Sequence, residues 1–140
     1  MKRLLMIGAM IFSAASFADG FKVGLGGYCP VGFVKAGKPV FGDPNFASEY
    51  KGTTYYNSSE GAKKMFDADP ESFVGAIQYK GFCATGLAMG KKLESDPKIF
   101  ERVNGKVYFF SSTEAQQMFA KNSKKYIADA DKAWAKLPQE

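Results

Sequence analysis

The sequence predicts an α+β fold in which two repeated β-hairpin/helix units pack as one pseudo-two-fold domain. Three observations lead to this prediction. The chain matches itself at a fixed offset, each copy contains a hairpin signal, and each hairpin signal is followed by helix-capping residues and an apolar helical pattern. Neither unit alone could bury much apolar surface, so we expect the two small sheets to share a core.

The internal repeat organises the chain. Residues 37–74 lie over residues 90–127 without a gap, with 11 identities in 38 positions. With a slip of one residue the match extends upstream, where "GYCPVG" pairs with "GFCATG" and Cys29 becomes the counterpart of Cys83. We therefore predict a single domain, residues 19–140, made of two repeats at about 26–78 and 80–137.

The first eighteen residues predict export. Lys2 and Arg3 precede an apolar run, and Ser16 and Ala18 stand where a signal peptidase requires small residues. The alternative, an uncleaved anchor, would need roughly 18 or more apolar residues. We therefore expect a signal peptide at 1–18 and a secreted, periplasmic protein that does not span the membrane.

Two turn signals predict the hairpins. "RVNGKVYFF" places Asn104-Gly105 between alternating apolar runs, which is the strongest short hairpin signal. "EYKGTTYYN" is its weaker counterpart, with Gly52 in the place of Gly105. The glycines that precede each hairpin either let the backbone approach closely around the cysteines or serve tight turns.

Helices are expected after each hairpin. Ser111 and Glu114 form a capping-box pattern, whereas Ser58 or Ser59 caps the first copy without a matching glutamate. Asp69 and Asn122 then predict the N-caps of second helices. The final helix carries an apolar stripe at helical spacing, formed by Tyr126, Ile127, Ala130, Trp134 and Leu137.

The charge of the chain is moderate. The formal net charge is +5, and the predicted signal peptide supplies two of these charges through Lys2 and Arg3. The lysines are scattered or lie on helix faces, which is typical of a solvated surface. We therefore expect no nucleic-acid partner.

At these motifs the chain resembles the exported YHS-domain proteins, whose units are related to small metal-binding fingers of the TRASH type. The resemblance spans about residues 26–134 and rests on "GYCPVGFVKAGKPVFGDPNFASEYKGTTYY", "SSEGAKKMFDADPESF", "YKGFCATGLAMGKK" and "NGKVYFF". It implies a metal-related role, because the family is tied to heavy-metal transporters and some oxygenase subunits. No reaction belongs to the domain itself.

The chain departs from the metal-binding relatives at their ligands. Where those relatives carry two cysteines four residues apart, this chain has Ser58 and Ala62 in one unit and Ser111 and Ala115 in the other. The tripeptide that names the domain reads YNS at residues 56–58, and the chain contains no histidine. A structural zinc with four cysteine or histidine ligands within one unit is therefore excluded.

Cys29 and Cys83 leave three interpretations open. A disulfide between them would stabilise the fold by ~4 kcal/mol through loop-closure entropy. Alternatively, two thiolates would suit Cu(I), with Met89 as a thioether ligand. The third possibility is a free, redox-active thiol pair. We expect an exported metal-handling module that binds a soft metal ion, Cu(I), through Cys29 and Cys83; the alternative is a disulfide-stapled interaction module that docks on a protein partner.

The other conspicuous side chains predict packing. Met65 and Met118 stand beside Phe66 and Phe119 in matching register, which favours core positions. Trp134 is expected to anchor the last helix to the core. A nucleophile activated by histidine cannot exist in this chain, and we expect no enzymatic activity.

Overall fold

A computed structural model describes residues 23–138 of the chain. The fold is α+β, as predicted, with two separate two-stranded antiparallel sheets among short helices. The predicted signal peptide, residues 1–18, lies outside the described residues. Within residues 23–138, no helix has the length and apolar character that crossing a membrane requires.

The first hairpin and its helices occupy residues 47–74. These elements are β1 (Ala47–Tyr50), β2 (Thr53–Tyr56), α1 (Glu60–Ala68) and α2 (Pro70–Val74). Lys51 and Gly52 both have positive φ, 51° and 80°, which matches the two-residue turn that the right-handed twist of a hairpin prefers. In this register Glu49 pairs with Thr54.

The second hairpin follows a short helix and precedes the longest one. These elements are α3 (Ala84–Ala88), β3 (Asp96–Val103), β4 (Lys106–Phe110), α4 (Thr113–Lys121) and α5 (Ser123–Lys136). Asn104 and Gly105 form the turn with φ of 52° and 78°, and Glu101 pairs with Tyr108. Both hairpin predictions are therefore confirmed.

Polar side chains cap four of the helices. Ser59 and Ser112 each accept a hydrogen bond from the backbone N–H three residues on, and Asp69 and Asn122 do the same for α2 and α5. The prediction of Ser111 as the cap was wrong. Ser112 takes that position because α4 begins one residue later, at Thr113, than the capping-box pattern implies.

The core consists of aromatic contacts between segments that are distant in sequence. Phe33, from the segment before the first hairpin, is fully buried and meets Phe100 and Phe109 edge-to-face, at centroid distances of 5.1 and 4.9 Å. Phe66 and Phe119 are buried under their own hairpins in two further clusters. Phe33 therefore links the N-terminal segment to the second hairpin.

Two predicted core residues lie at the surface instead. Met65 and Met118 are 44% and 38% exposed. The buried positions of their helices are Ala62 and Phe66 in α1, and Ala115 and Phe119 in α4. Four-residue spacing fills the inner face of each short helix, so the methionine one residue before the phenylalanine points away from the core.

Candidate functional site

The segments that precede the two hairpins contain left-handed turns. We call Gly24–Gly27 the first left-handed turn and Gln78–Gly81 the second left-handed turn. In the first, Leu25, Gly26 and Gly27 have φ of 58°, 61° and 87°. In the second, three consecutive residues again have positive φ: 57° at Tyr79, 52° at Lys80 and 86° at Gly81.

The backbone fixes both turns in the same way. Tyr28 N–H donates to Leu25 O at 3.1 Å in the first turn, and Phe82 N–H donates to Tyr79 O at 2.9 Å in the second. Each turn follows a residue that forms a parallel bridge to the second strand of its hairpin: Val23 with Thr54, and Ile77 with Val107. Each turn is thus held against its hairpin at one end.

The two turns approach each other beside a cavity. A methyl group added at Gly81 would lie 3.8 Å from Leu25 Cδ2, and one added at Gly26 would lie 3.3 Å from Pro97 Cγ. The cavity has a volume of about 640 Å³, and both turns contribute to its wall. Its other walls come from the segment after α3 and from the end of α5. We call this space the turn cavity.

Aromatic rings form one wall of the turn cavity. The rings of Phe82 and Trp134 lie 6.3 Å apart, centroid to centroid, and both line the cavity. The Lys92 ammonium lies over the Phe82 ring, 4.6 Å from its centroid. This arrangement places a cation against an apolar surface, where a cation–π contact holds it.

Polar groups complete the lining. Lys80 and Lys92 contribute positive charge, and Glu94 contributes one negative charge. Ser95 Oγ is buried and has no hydrogen-bond partner among the described residues. A buried hydroxyl without a partner costs free energy, so its position in a cavity wall indicates a place where a polar group from a ligand or solvent completes the hydrogen bond.

A tyrosine fixes the second turn relative to the last helix. Tyr79 is 5% exposed, and its hydroxyl donates to Asp131 Oδ1 of α5 at 2.7 Å. Burial, and then the hydrogen bond to the Asp131 carboxylate, raise the pKa of Tyr79 above its ordinary value of 10.0. The ring also lies 5.9 Å from that of Trp134, so this one residue positions both the turn and the aromatic wall.

The structure places the two cysteines directly after these turns but buries them. Cys29 and Cys83 are free thiols with no exposed surface. Cys29 packs in a cluster that contains Phe66 and Phe73, whereas Cys83 packs in a different cluster that contains Leu87.

Each cysteine takes part in hydrogen bonds that hold the local backbone. Cys83 Sγ accepts a hydrogen bond from Gly86 N at 3.3 Å, so its sulfur caps α3. Cys29 N donates to Val40 O at 2.8 Å, and Cys83 N donates to Leu93 O at 3.0 Å. The two residues therefore occupy equivalent backbone positions.

The predicted metal ligands do not form one cluster. Met89, the expected thioether ligand, ends α3 and is 57% exposed, whereas both thiols are buried. Among residues 23–138, no group of three or more histidine, cysteine, aspartate or glutamate side chains is arranged to hold a metal ion. Thiol and thioether sulfur atoms are chemically suited to a soft metal, but Cys29 and Cys83 lie in different clusters of buried residues.

The turn cavity was predictable from the sequence only in part. Glycines 26, 27 and 81 had two open interpretations, and the tight-turn interpretation applies to all three. No sequence pattern pointed to Ser95, Lys92 and Phe82. They come together in the cavity wall only through contacts between segments that are far apart in the chain.

Comparisons with known proteins identify no relative. No family model matches the chain, and neither a curated protein nor a solved structure matches it significantly. The resemblance to YHS-domain proteins therefore remains a prediction from the motifs quoted above.

Proposed function

We propose that this protein is an exported, non-catalytic binding module that holds a small organic carboxylate with an apolar body in the turn cavity. One observation carries the proposal: two left-handed turns, one before each hairpin, both contribute to the wall of a single cavity. The ligand class follows from the chemistry of the remaining walls.

The backbone conformation supports a functional role for the turns. Leu25, Tyr79 and Lys80 are not glycines, yet all three have φ between 52° and 58°. A side chain in this region costs roughly 1–2 kcal/mol per residue. Such strain persists where surrounding structure enforces it, and it is concentrated at ligand-binding sites.

The lining supports an anionic ligand with an apolar part. Lys92 offers an ammonium group beside the Phe82 ring, and Ser95 offers an unsatisfied hydroxyl. The rings of Phe82 and Trp134 would cover an alkyl or aryl group, while the polar groups would fix the orientation of the carboxylate. A few placed polar groups in an apolar concavity are typical of small-molecule sites.

The proposal is for binding without catalysis. A serine nucleophile needs a hydrogen-bonded base, and Ser95 Oγ has no such partner among the described residues. The chain contains no histidine that could supply the base. Its polar groups are better suited to holding an anion than to moving a proton.

The two halves also support the proposed YHS-like duplication with pseudo-two-fold packing. Both left-handed turns, both hairpin turns and both serine caps recur at matching positions of the two repeats. We propose that the halves arose from one unit, and that the ligand lies where the equivalent turns approach each other.

Soft-metal handling through Cys29, Cys83 and Met89 is a second candidate. The observation that favours it over the disulfide-stapled alternative is that both cysteines are free thiols. A shared site would require the two buried clusters to rearrange. The test is a Cu(I) titration of the reduced protein against a chelator of known affinity: stoichiometric uptake that Cys29→Ala and Cys83→Ala both abolish would support it, and uptake unchanged by either substitution would reject it.

Trp134 is the only tryptophan in the chain, so its fluorescence reports on the turn cavity. We would titrate the purified protein with octanoate and with phenylacetate. We expect saturable fluorescence changes, weakened several-fold by Lys92→Gln and by Ser95→Ala. Lys64→Gln is the matched control, because Lys64 is an exposed lysine on α1 that does not line the cavity. The absence of saturable binding up to millimolar carboxylate would overturn the proposal.

A further inference from the structure

A second concave surface adjoins the turn cavity. It is a groove of about 410 Å³ between the end of α3 and the C-terminal half of α5. Leu137, Ala88 and Ala133 supply partly exposed apolar lining, and four lysines lie around them: Lys91, Lys92, Lys132 and Lys136. We call this groove the lysine groove.

Within residues 23–138, the lining of the lysine groove carries more positive than negative charge. Asp129 is the one acidic residue among the described lining residues, and its carboxylate already pairs with Lys125 at 2.7 Å. The hydrogen bond from Lys125 also lowers the pKa of Asp129, so this carboxylate stays ionised in that pair. Four ammonium groups thus share a small concave surface with little compensation.

Helix electrostatics explain this arrangement only in part. Lys136 lies in the last turn of α5, where a cation interacts favourably with the helix dipole. Lys132 lies four residues before Lys136, and like charges at this spacing destabilise a helix. Lys91 and Lys92 follow the C-terminal end of α3, where the dipole of that five-residue helix also favours positive charge.

Lys92 connects the two concave surfaces. It lines the turn cavity and the lysine groove, with its ammonium held over the Phe82 ring at 4.6 Å. An anionic group in either space would therefore lie close to this side chain. A ligand whose carboxylate binds in the turn cavity could extend past Lys92 into the groove without leaving concave surface.

We propose that the ligand carries a second anionic group, which binds in the lysine groove, so that the natural ligand is a dicarboxylate or a comparable dianion with an apolar spacer. This inference rests on the proposed function of the turn cavity and specifies its ligand class. The charge complementarity of the groove and its continuity through Lys92 carry it. The apolar lining by Leu137, Ala88 and Ala133 suits the spacer.

The experiment compares α,ω-dicarboxylates, from adipate to dodecanedioate, with monocarboxylates of the same length by titration calorimetry. We expect one range of lengths in which the dicarboxylate binds about fivefold to tenfold tighter than its monocarboxylate partner, because two exposed charge contacts are gained. The advantage should shrink with added salt.

Two double variants locate the effect. Lys132→Gln with Lys136→Gln should remove the dicarboxylate advantage and leave monocarboxylate affinity unchanged. The control, Lys64→Gln with Lys106→Gln, makes the same change in net charge at exposed lysines outside both surfaces, and should keep the advantage.

The outcomes separate the two proposals. Dicarboxylates that bind no tighter than monocarboxylates at any length, or an advantage lost equally in both double variants, would overturn the inference and leave the proposed function standing. A dicarboxylate advantage that depends on Lys132 and Lys136, without any monocarboxylate binding, would support the groove and overturn the turn-cavity proposal. Tight binding of polyphosphate in place of every dicarboxylate would assign the groove to a polymer and overturn the inference.

Discussion

The Tyr79 hydroxyl donates a hydrogen bond to Asp131 Oδ1 at 2.7 Å, across 52 residues of sequence. The bond joins the second left-handed turn to the middle of α5. Trp134 lies one helical turn further along α5, and its ring is 5.9 Å from that of Tyr79. The Tyr79–Asp131 contact therefore helps to position two parts of the turn-cavity wall, the second left-handed turn and Trp134.

Removing this hydroxyl should lower stability and change its dependence on pH. Tyr79→Phe loses one hydrogen bond and leaves the Asp131 carboxylate without it, so we expect a loss of about 1–2 kcal/mol at neutral pH. Folding raises the pKa of Tyr79. The stabilisation that its neutral hydroxyl gives to the folded state is therefore complete below the unfolded pKa of about 10, and it declines as pH rises above that value.

The measurement is urea unfolding of both proteins at neutral pH and between about pH 9 and 11.5. We expect the alkaline decline to be less steep in Tyr79→Phe but still present, because burial also raises the pKa of Tyr108. Tyr126→Phe is the control, because it also removes a tyrosine hydroxyl from the chain but leaves the hydrogen bond between Tyr79 and Asp131 in place. An identical decline in the native protein and in Tyr79→Phe would contradict the prediction.

Removing a serine cap should lower the free energy of unfolding more than removing the serine that precedes it. Ser59→Ala and Ser112→Ala each remove a side-chain acceptor from a helix N-terminus, at 3.1 Å in both cases, and should each cost about 1 kcal/mol. Ser58→Ala and Ser111→Ala, one residue earlier, should change the free energy of unfolding by less than about 0.5 kcal/mol. Chemical denaturation of the four variants tests this, and a larger loss at Ser111 than at Ser112 would contradict the assigned cap.

Phe33 should be among the most sensitive core positions. Phe33→Ala removes a fully buried ring and two edge-to-face contacts, so we expect a loss of about 3–5 kcal/mol. Phe41 provides a matched control because it is 74% exposed and only stacks on Tyr28. Phe41→Ala should cost about 1 kcal/mol or less. Similar losses for the two variants in thermal unfolding would show that Phe33 does not link the halves as described.

Burial should decide the reactivity of the thiols. Cys29 and Cys83 have no exposed surface, so iodoacetamide should modify neither in the folded protein. In denaturant without a reductant, intact mass should show that both become alkylated. Reduced, denatured protein is the control and should give the same mass. An unmodified mass without reductant, together with full modification after reduction, would instead support the disulfide-stapled alternative.

Local signals in the sequence predicted the hairpins and most caps. Asn104-Gly105 and Gly52 indicate turns because few residues tolerate the positive φ that such turns require, and the structure confirms both. Met65 was predicted wrongly because apolar character alone does not give the direction of a side chain. Packing assigns the inner face of α1 to Ala62 and Phe66.

The candidate site could not be predicted in the same way. Leu25, Tyr79 and Lys80 adopt positive φ without being glycine, so nothing in their residue types indicates a left-handed turn. The turn cavity forms only when these segments meet Pro97, Trp134 and the chain around Ser95. Residues with no shared local pattern thus become neighbours through tertiary contacts alone.

The parallel bridges before each hairpin affect how readily the strands of one molecule can pair with those of another. Val107 N donates to Ala76 O at 2.8 Å, and the bridges of Val23 to Thr54 and of Ile77 to Val107 occupy the outer sides of β2 and β4. A strand whose outer backbone groups are already paired cannot recruit a strand from another molecule. Each bridge pairs a single residue of β2 or β4 and so leaves fewer backbone groups free for strand addition there. Strand β1 has four residues, and the irregular register of β3 near Asp96 and Phe100 opposes a long flat pairing. Among residues 23–138, the short strands, the bridges and the irregular register of β3 therefore all oppose edge-to-edge pairing between molecules.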